Sequence, residues 1–80
     1  MTPLQQLYSE LKAPYLDALV AYLLDDFYIF MGKDAVLASS VLGKECVENN
    51  GWPNLGILVN EMPKDINILN NAGYKIVLID

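Results

Sequence analysis

Five consecutive residues, Phe27-Tyr28-Ile29-Phe30-Met31, constrain the fold of this chain more than any other segment. All are aromatic or large and apolar, with a β-branched residue at the centre. Side chains of this kind pack well on a pleated surface, so the run predicts a strand that Gly32 terminates. Two carboxylates, Asp25 and Asp26, stand immediately before it. An aromatic placed directly behind an acidic turn has two uses: Phe27 either fills a core or is presented outward as a stacking surface.

The flanking segments supply packing partners. Thr2 is placed to cap a helix, Pro3 takes its first position, and Gln5 falls three residues after the cap, as in a capping box. Leu4, Leu7, Tyr8 and Leu11 then recur at helical spacing, and Pro14 stops the helix near Ala13. The run Leu19–Leu24 is compatible with a buried strand or, together with Asp17, with a second buried helix; both readings stand at this point.

Asp34 is expected to cap a helix over Ala35–Leu42, with Val36, Leu37, Val41 and Leu42 on its apolar side and Gly43 just past its end. Lys44–Asn54 reads as a loop, with Asn49-Asn50-Gly51 and Trp52-Pro53 as turn chemistry. Gly56–Val59 reads as a short buried strand. Pro63 opens a helix through about Asn71, with Ile66, Leu69 and Ile68 toward the core. Gly73 closes it in the left-handed conformation, and Lys75–Ile79 forms the last strand. Helices alternating with short apolar strands predict one α/β (α+β) domain over residues 1–80, its sheet covered on at least one face.

Charge excludes several functions. Ten Asp and Glu face five Lys and no Arg, for a net charge of −5. Affinity for phosphates comes mostly from cations that release counterions, so strong independent nucleic-acid binding is not expected. A basic patch arises only if the fold gathers Lys12, Lys33 and Lys75. Cys46 has neither a disulfide partner nor a histidine to share a metal with, which fits a cytoplasmic chain without cofactor or metal. No signal-peptide pattern and no membrane-spanning run is visible. Asp25-Asp26 lacks a third polar partner for acid–base work and reads as a solvated turn, so no enzyme is expected. Trp52, beside Pro53, anchors its loop or contacts a partner.

In register, these segments resemble the N-terminal, mismatch-recognition domain (domain I) of the MutS DNA mismatch-repair proteins. That family opens with Thr-Pro-x-x-x-Gln leading to Leu-Lys-Ala, as Thr2-Pro3-Leu4-Gln5-Gln6-Leu7 leads here to Leu11-Lys12-Ala13. Its hallmark Gly-Asp-Phe-Tyr-Glu-Leu-Phe is matched by Asp25-Asp26-Phe27-Tyr28-Ile29-Phe30-Met31. Asp34-Ala35, Ala38-Ser39-Ser40-Val41-Leu42 and Leu69-Asn70-Asn71-Ala72-Gly73-Tyr74-Lys75-Ile76 follow in family order.

The resemblance implies a mixed sheet flanked by about three helices, no catalysis, and contact with double-stranded, mismatched DNA. In the family the Phe enters the minor groove and stacks on the mispaired base, while the Glu two residues on hydrogen-bonds that base. Phe27 takes the wedge position and Ile29 the Glu position, with Lys12, Lys33 and Lys75 as candidate phosphate contacts. Stacking of this kind supplies about 1–3 kcal/mol whatever the base. Ile29 has no donor or acceptor, and Asp25 replaces the family Gly, adding charge beside the wedge and restricting the backbone. The alternative is a protein-interaction module that keeps the fold without the readout, with MutS or other repair proteins as partners. No phosphate-binding loop of Walker type is present, so ATP hydrolysis is not expected of these residues.

Overall fold

Leu19–Leu24 and Phe27–Met31 pair as adjacent antiparallel strands, which settles the first of these runs as strand rather than helix. The computed structural model describes residues 2–80. Its elements in chain order are α1 (Pro3–Lys12), β1 (Leu19–Leu24), β2 (Phe27–Met31), α2 (Lys33–Leu42), β3 (Val47–Asn49), β4 (Trp52–Leu58), α3 (Met62–Asn71) and β5 (Ile76–Ile79). Single 3₁₀ turns follow α1 at Ala13–Tyr15 and precede α3 at Val59–Glu61. The strands form one mixed sheet in the order β3-β4-β2-β1-β5, antiparallel except for the parallel pair of β1 with β5. This is the α+β architecture expected, with three α-helices about a mixed sheet.

The helix ends follow from their sequence. Thr2 and Gln5 form the reciprocal capping box, each side chain accepting from the other's backbone N–H at 3.2 and 3.0 Å. Gly43 ends α2 at φ +68, the left-handed geometry that favours glycine.

Four expectations need correction. Asp34 does not cap α2; Gly32 holds the cap position without a side-chain bond, and Asp34 turns inward as a buried residue. On α2, Val41 and Leu42 pack against the core as expected, but Val36 and Leu37 are exposed and the fully buried residues are Ala35 and Ala38, both at 0 %. Small residues there let the helix lie close on the sheet, where larger ones would hold it off. Within Lys44–Asn54 lies a hairpin of β3 and β4, closed by Asn50 at φ 53 and Gly51 at φ 79. Positive φ at both central residues is the turn that matches strand twist, and Asn-Gly favours it. Ile68 likewise lies on the exposed side of α3, where Met62, Asp65 and Leu69 are buried.

Side chains alternate between the two faces of the sheet. Leu19, Ala21, Phe30, Leu55 and Ile57 point to one face and pack beneath α2 and α3, with Met62 and Leu69. Val20 and Met31 point to the other and pack beneath α1, through Tyr8.

The β1–β2 turn is only two residues long, and Asp25 sits in it at φ 55. Left-handed geometry costs a non-glycine residue about 1–2 kcal/mol, least for Asp and Asn. Asp25→Gly relieves that strain but frees the unfolded chain by a similar amount. The urea midpoint of Asp25→Gly is therefore expected to correspond to a change within about 1 kcal/mol of the parent.

Candidate nucleic-acid interface

The strand register arranges the α1 side of the sheet in rows. Leu24 pairs with Phe27 and Phe27 with Leu58, so these three form the row at one end. The next row on the same face is Ile79, Tyr22, Ile29 and Gly56. The third is Val77, Val20, Met31 and Asn54. This last row is closed over by helix, since Tyr8 of α1 reaches Val20 and Met31, and Tyr22, Ile29 and Ile79 of the second row are half-buried against that cluster. Cover therefore fades along the strands. Val20 is at 0 % exposure, while Leu24, Phe27 and Leu58 reach 39, 42 and 40 %.

Phe27 is thus neither a core residue nor a free spike. Its ring lies across Gly56 on the neighbouring strand: a β-carbon there would stand 3.4 Å from the ring. A larger side chain at 56 would lift the ring or displace it. Ile29 is half-buried in the same row as Gly56, with Phe27 two positions before it on the same face. The two adjoin as the hallmark spacing requires, but the surface they make is wholly apolar.

The lysines lie elsewhere. Phe27 and Met31 mark opposite ends of β2, about 13 Å apart. Lys33 lies two residues past Met31, and Lys75 directly precedes Ile76, which pairs with the first residue of β1. Lys12 and Lys33 line a shallow depression of about 380 Å³ with Asp17, Asp34 and Tyr74. Lys75 pairs with Asp17 there at 3.3 Å. The fold brings the three lysines toward one end of the sheet, Phe27 and Ile29 occupy the other, and carboxylates stand among the lysines. Lys33 is the one of the three without an ion pair among the described residues.

Lys12 is held most firmly. Its Nζ bonds both Asp34 oxygens at 3.0 and 2.9 Å and the Ala18 carbonyl. The same carboxylate accepts the Tyr8 hydroxyl at 2.8 Å and the Val20 N–H at 3.0 Å. Asp34 therefore joins α1, β1 and the start of α2 at one buried point, which sequence reasoning took for a cap. Nothing in the pattern distinguishes a capping Asp from a buried one, because both open a helix. Lys44, at the end of α2, is taken up in a similar way by Asp65 at 2.7 Å and Glu61 at 3.3 Å.

Burial and the Asp34 charge push the Tyr8 phenol well above its usual range, and the hydrogen bond that Lys44 donates to Asp65 raises Lys44. Both groups keep their protons longer folded than unfolded. Their contribution is full below about pH 10 and is lost as pH rises beyond it. Stability is accordingly expected to fall in alkaline urea titrations starting near pH 10, with a shallower fall in Tyr8→Phe.

The match to known proteins follows this geometry. A family model described as MutS domain I matches residues 2–80. This chain belongs to the MutS domain I family. It is 34 % identical over its whole length to the DNA mismatch repair protein MutS of Thermodesulfovibrio yellowstonii, of which it covers 10 %. Against the MutS of Thermotoga neapolitana the identity is 32 %, again over the whole chain and 10 % of that protein. Against Treponema pallidum MutS it is 33 %, over 99 % of the chain and 9 % of the relative. The chain thus spans about a tenth of the length of these MutS relatives. Its match is to the recognition domain of the MutS family and not to the ATPase part. Among the described residues no group of carboxylates and Cys46 is arranged to hold a metal, and no helix is long and apolar enough to cross a membrane.

Proposed function

We propose that this chain is a non-catalytic mismatch-recognition domain of the MutS kind, which engages a distorted duplex weakly, by stacking through Phe27. The observation that carries this reading is the position of Phe27. It is 42 % exposed in the bare end row of the sheet, directly after the two-residue turn of the β1–β2 hairpin, at the wedge position of the family hallmark. A ring in that place can insert between bases already loosened by a mispair, and stacking is indifferent to base identity. Ile29 beside it supplies shape without a hydrogen bond. Discrimination therefore rests on the ease of deforming the duplex rather than on reading the base. Lys33, with Lys12 and Lys75, stands at the far end of the sheet as the candidate phosphate contact.

The test is a fluorescence anisotropy titration of mismatched and matched duplexes at low salt. The expected result is weak, salt-sensitive binding that favours the mismatch and falls about tenfold or more in Phe27→Ala, the equivalent of 1–3 kcal/mol of stacking. Ile29→Glu restores an acceptor and is expected to raise the preference for the mismatch by about 0.5–1.5 kcal/mol. Equal affinity for the two duplexes, or none, overturns the reading.

One observation favours the alternative, a protein-interaction module. The turn that presents Phe27 carries two carboxylates, and three of the five lysines are engaged in ion pairs with the chain's own acids. On that reading Phe27→Ala changes no DNA affinity, because there is none.

A further inference from the structure

We propose that the bare end of the α1 face of the sheet docks a cationic amphipathic helix supplied by another protein. The inference does not depend on DNA contact by Phe27. The surface consists of Leu24, Phe27 and Leu58 in the first row and Tyr22, Ile29 and Ile79 in the second. The three first-row side chains are each about two-fifths exposed and adjoin across three strands, so they form one patch rather than scattered residues. A contiguous apolar patch of this kind marks an interaction surface.

The architecture says what shape covers it. A sheet face is buried by helices or by a second sheet. Two helices cover the opposite face, whereas α1 closes the third row of this one and leaves the second half-buried and the first open. The face itself offers side chains, and unpaired strand edges lie only at its rims, on β4 past Asn54 and on β1 past Tyr22. A helix needs no strand edge, since its own backbone is satisfied internally. Four strands side by side give a width of about 14 Å between the outer strand axes, room for two to three helical turns.

Charge says what flanks that helix. Asp25 and Asp26 border the first row at the turn, whereas Asp80 belongs to the opposite face, where it accepts from the Tyr28 hydroxyl. No lysine stands in these two rows or in the turn. An apolar stripe with Lys or Arg on its flanks satisfies both the rows and their acidic border. A second copy of this chain would bring like-charged borders and two net charges of −5 together, and is disfavoured for that reason.

The probe is a synthetic peptide of leucine and lysine, about two to three turns longer than the patch, with all leucines on one helical face. The readout is an amide chemical-shift titration of the full chain. Saturable shifts are expected at Tyr22, Leu24, Asp25, Asp26, Phe27, Ile29 and Leu58, with none around Val36 and Leu37, an exposed apolar pair preceded by Lys33. Two control peptides separate the contributions: glutamate replacing every lysine, and the same composition scrambled so that no apolar face forms. Each is expected to bind at least tenfold more weakly. Leu58→Lys, at an exposed position, is expected to lose binding at least tenfold while keeping the parent spectrum elsewhere. Asp25→Asn with Asp26→Asn is expected to remove most of the salt dependence.

Shifts centred on Val36 and Leu37, equal binding of the acidic peptide, or no saturation overturns the proposal. A separate duplex titration keeps the two readings apart. Peptide binding without DNA binding leaves the docking surface standing and removes the wedge; the reverse does the opposite. Where both occur, the peptide competes with the duplex, because each needs Phe27.

Discussion

Asp34→Ala is expected to lower stability by about 3–5 kcal/mol, because it removes one partner of a largely buried ion pair and leaves the rest behind. Lys12 would keep its charge beside α1 with only the Ala18 carbonyl to meet it. The Val20 N–H, on a residue with no exposure, would lose its acceptor, and the Tyr8 hydroxyl would lose one of its two. An 80-residue domain has a total stability of about 4–12 kcal/mol, and each kcal/mol moves its Tm by about 4–8 °C. A melting-point fall well beyond 10 °C in calorimetry is therefore the expected outcome. Asp34→Asn keeps the volume and an acceptor and should cost clearly less. Equal losses in the two variants would mean that the Lys12 charge, rather than the hydrogen bonds to Tyr8 and Val20, dominates.

Phe30→Ala is the second large effect. Phe30 has no exposure and fills the space between β2 and the α2–α3 layer, beside Ala35, Leu55 and Ile57. Truncating a buried Phe costs about 3–5 kcal/mol, through lost burial and the cavity left behind. Phe27→Ala, three residues earlier in the same strand, should cost less than about 1.5 kcal/mol, because its ring lies half in solvent over Gly56. Paired urea melts of the two variants separate the core aromatic from the surface one. If Phe27→Ala proved as costly as Phe30→Ala, the ring would be structural and both surface proposals would lose their anchor.

Strand β2 was legible because five apolar residues ending at a glycine leave few alternatives, and the capping box of α1 because its two partners are three residues apart. Leu19–Leu24 was not, since a fully buried strand and a buried helix both read as an unbroken apolar run. The outward placement of Val36 and Leu37 was hidden for a different reason. Apolar spacing marks a face, but close packing on the sheet selected the two alanines over the larger residues. The candidate site divided along the same line. Adjacency of Phe27 and Ile29 follows from strand alternation alone. The distance from Phe27 to the lysines depends on register and strand order, which no local pattern encodes.

The parallel pairing of β1 with β5 has a consequence for how the chain folds. Leu19 meets Ile76 and Tyr22 meets Ile79, joining parts of the sequence 57 residues apart. The β1–β2 hairpin closes a two-residue turn and costs little loop entropy, so it can form early; the β1–β5 ladder must wait until α2, β4 and α3 have brought its strands together. During synthesis β1 therefore spends longest as an open edge, with Val20 and Ala21 exposed to pairing with other chains. Hydrogen exchange under native conditions should report the same order, the amides of β5 exchanging through smaller openings than those shared by β1 and β2.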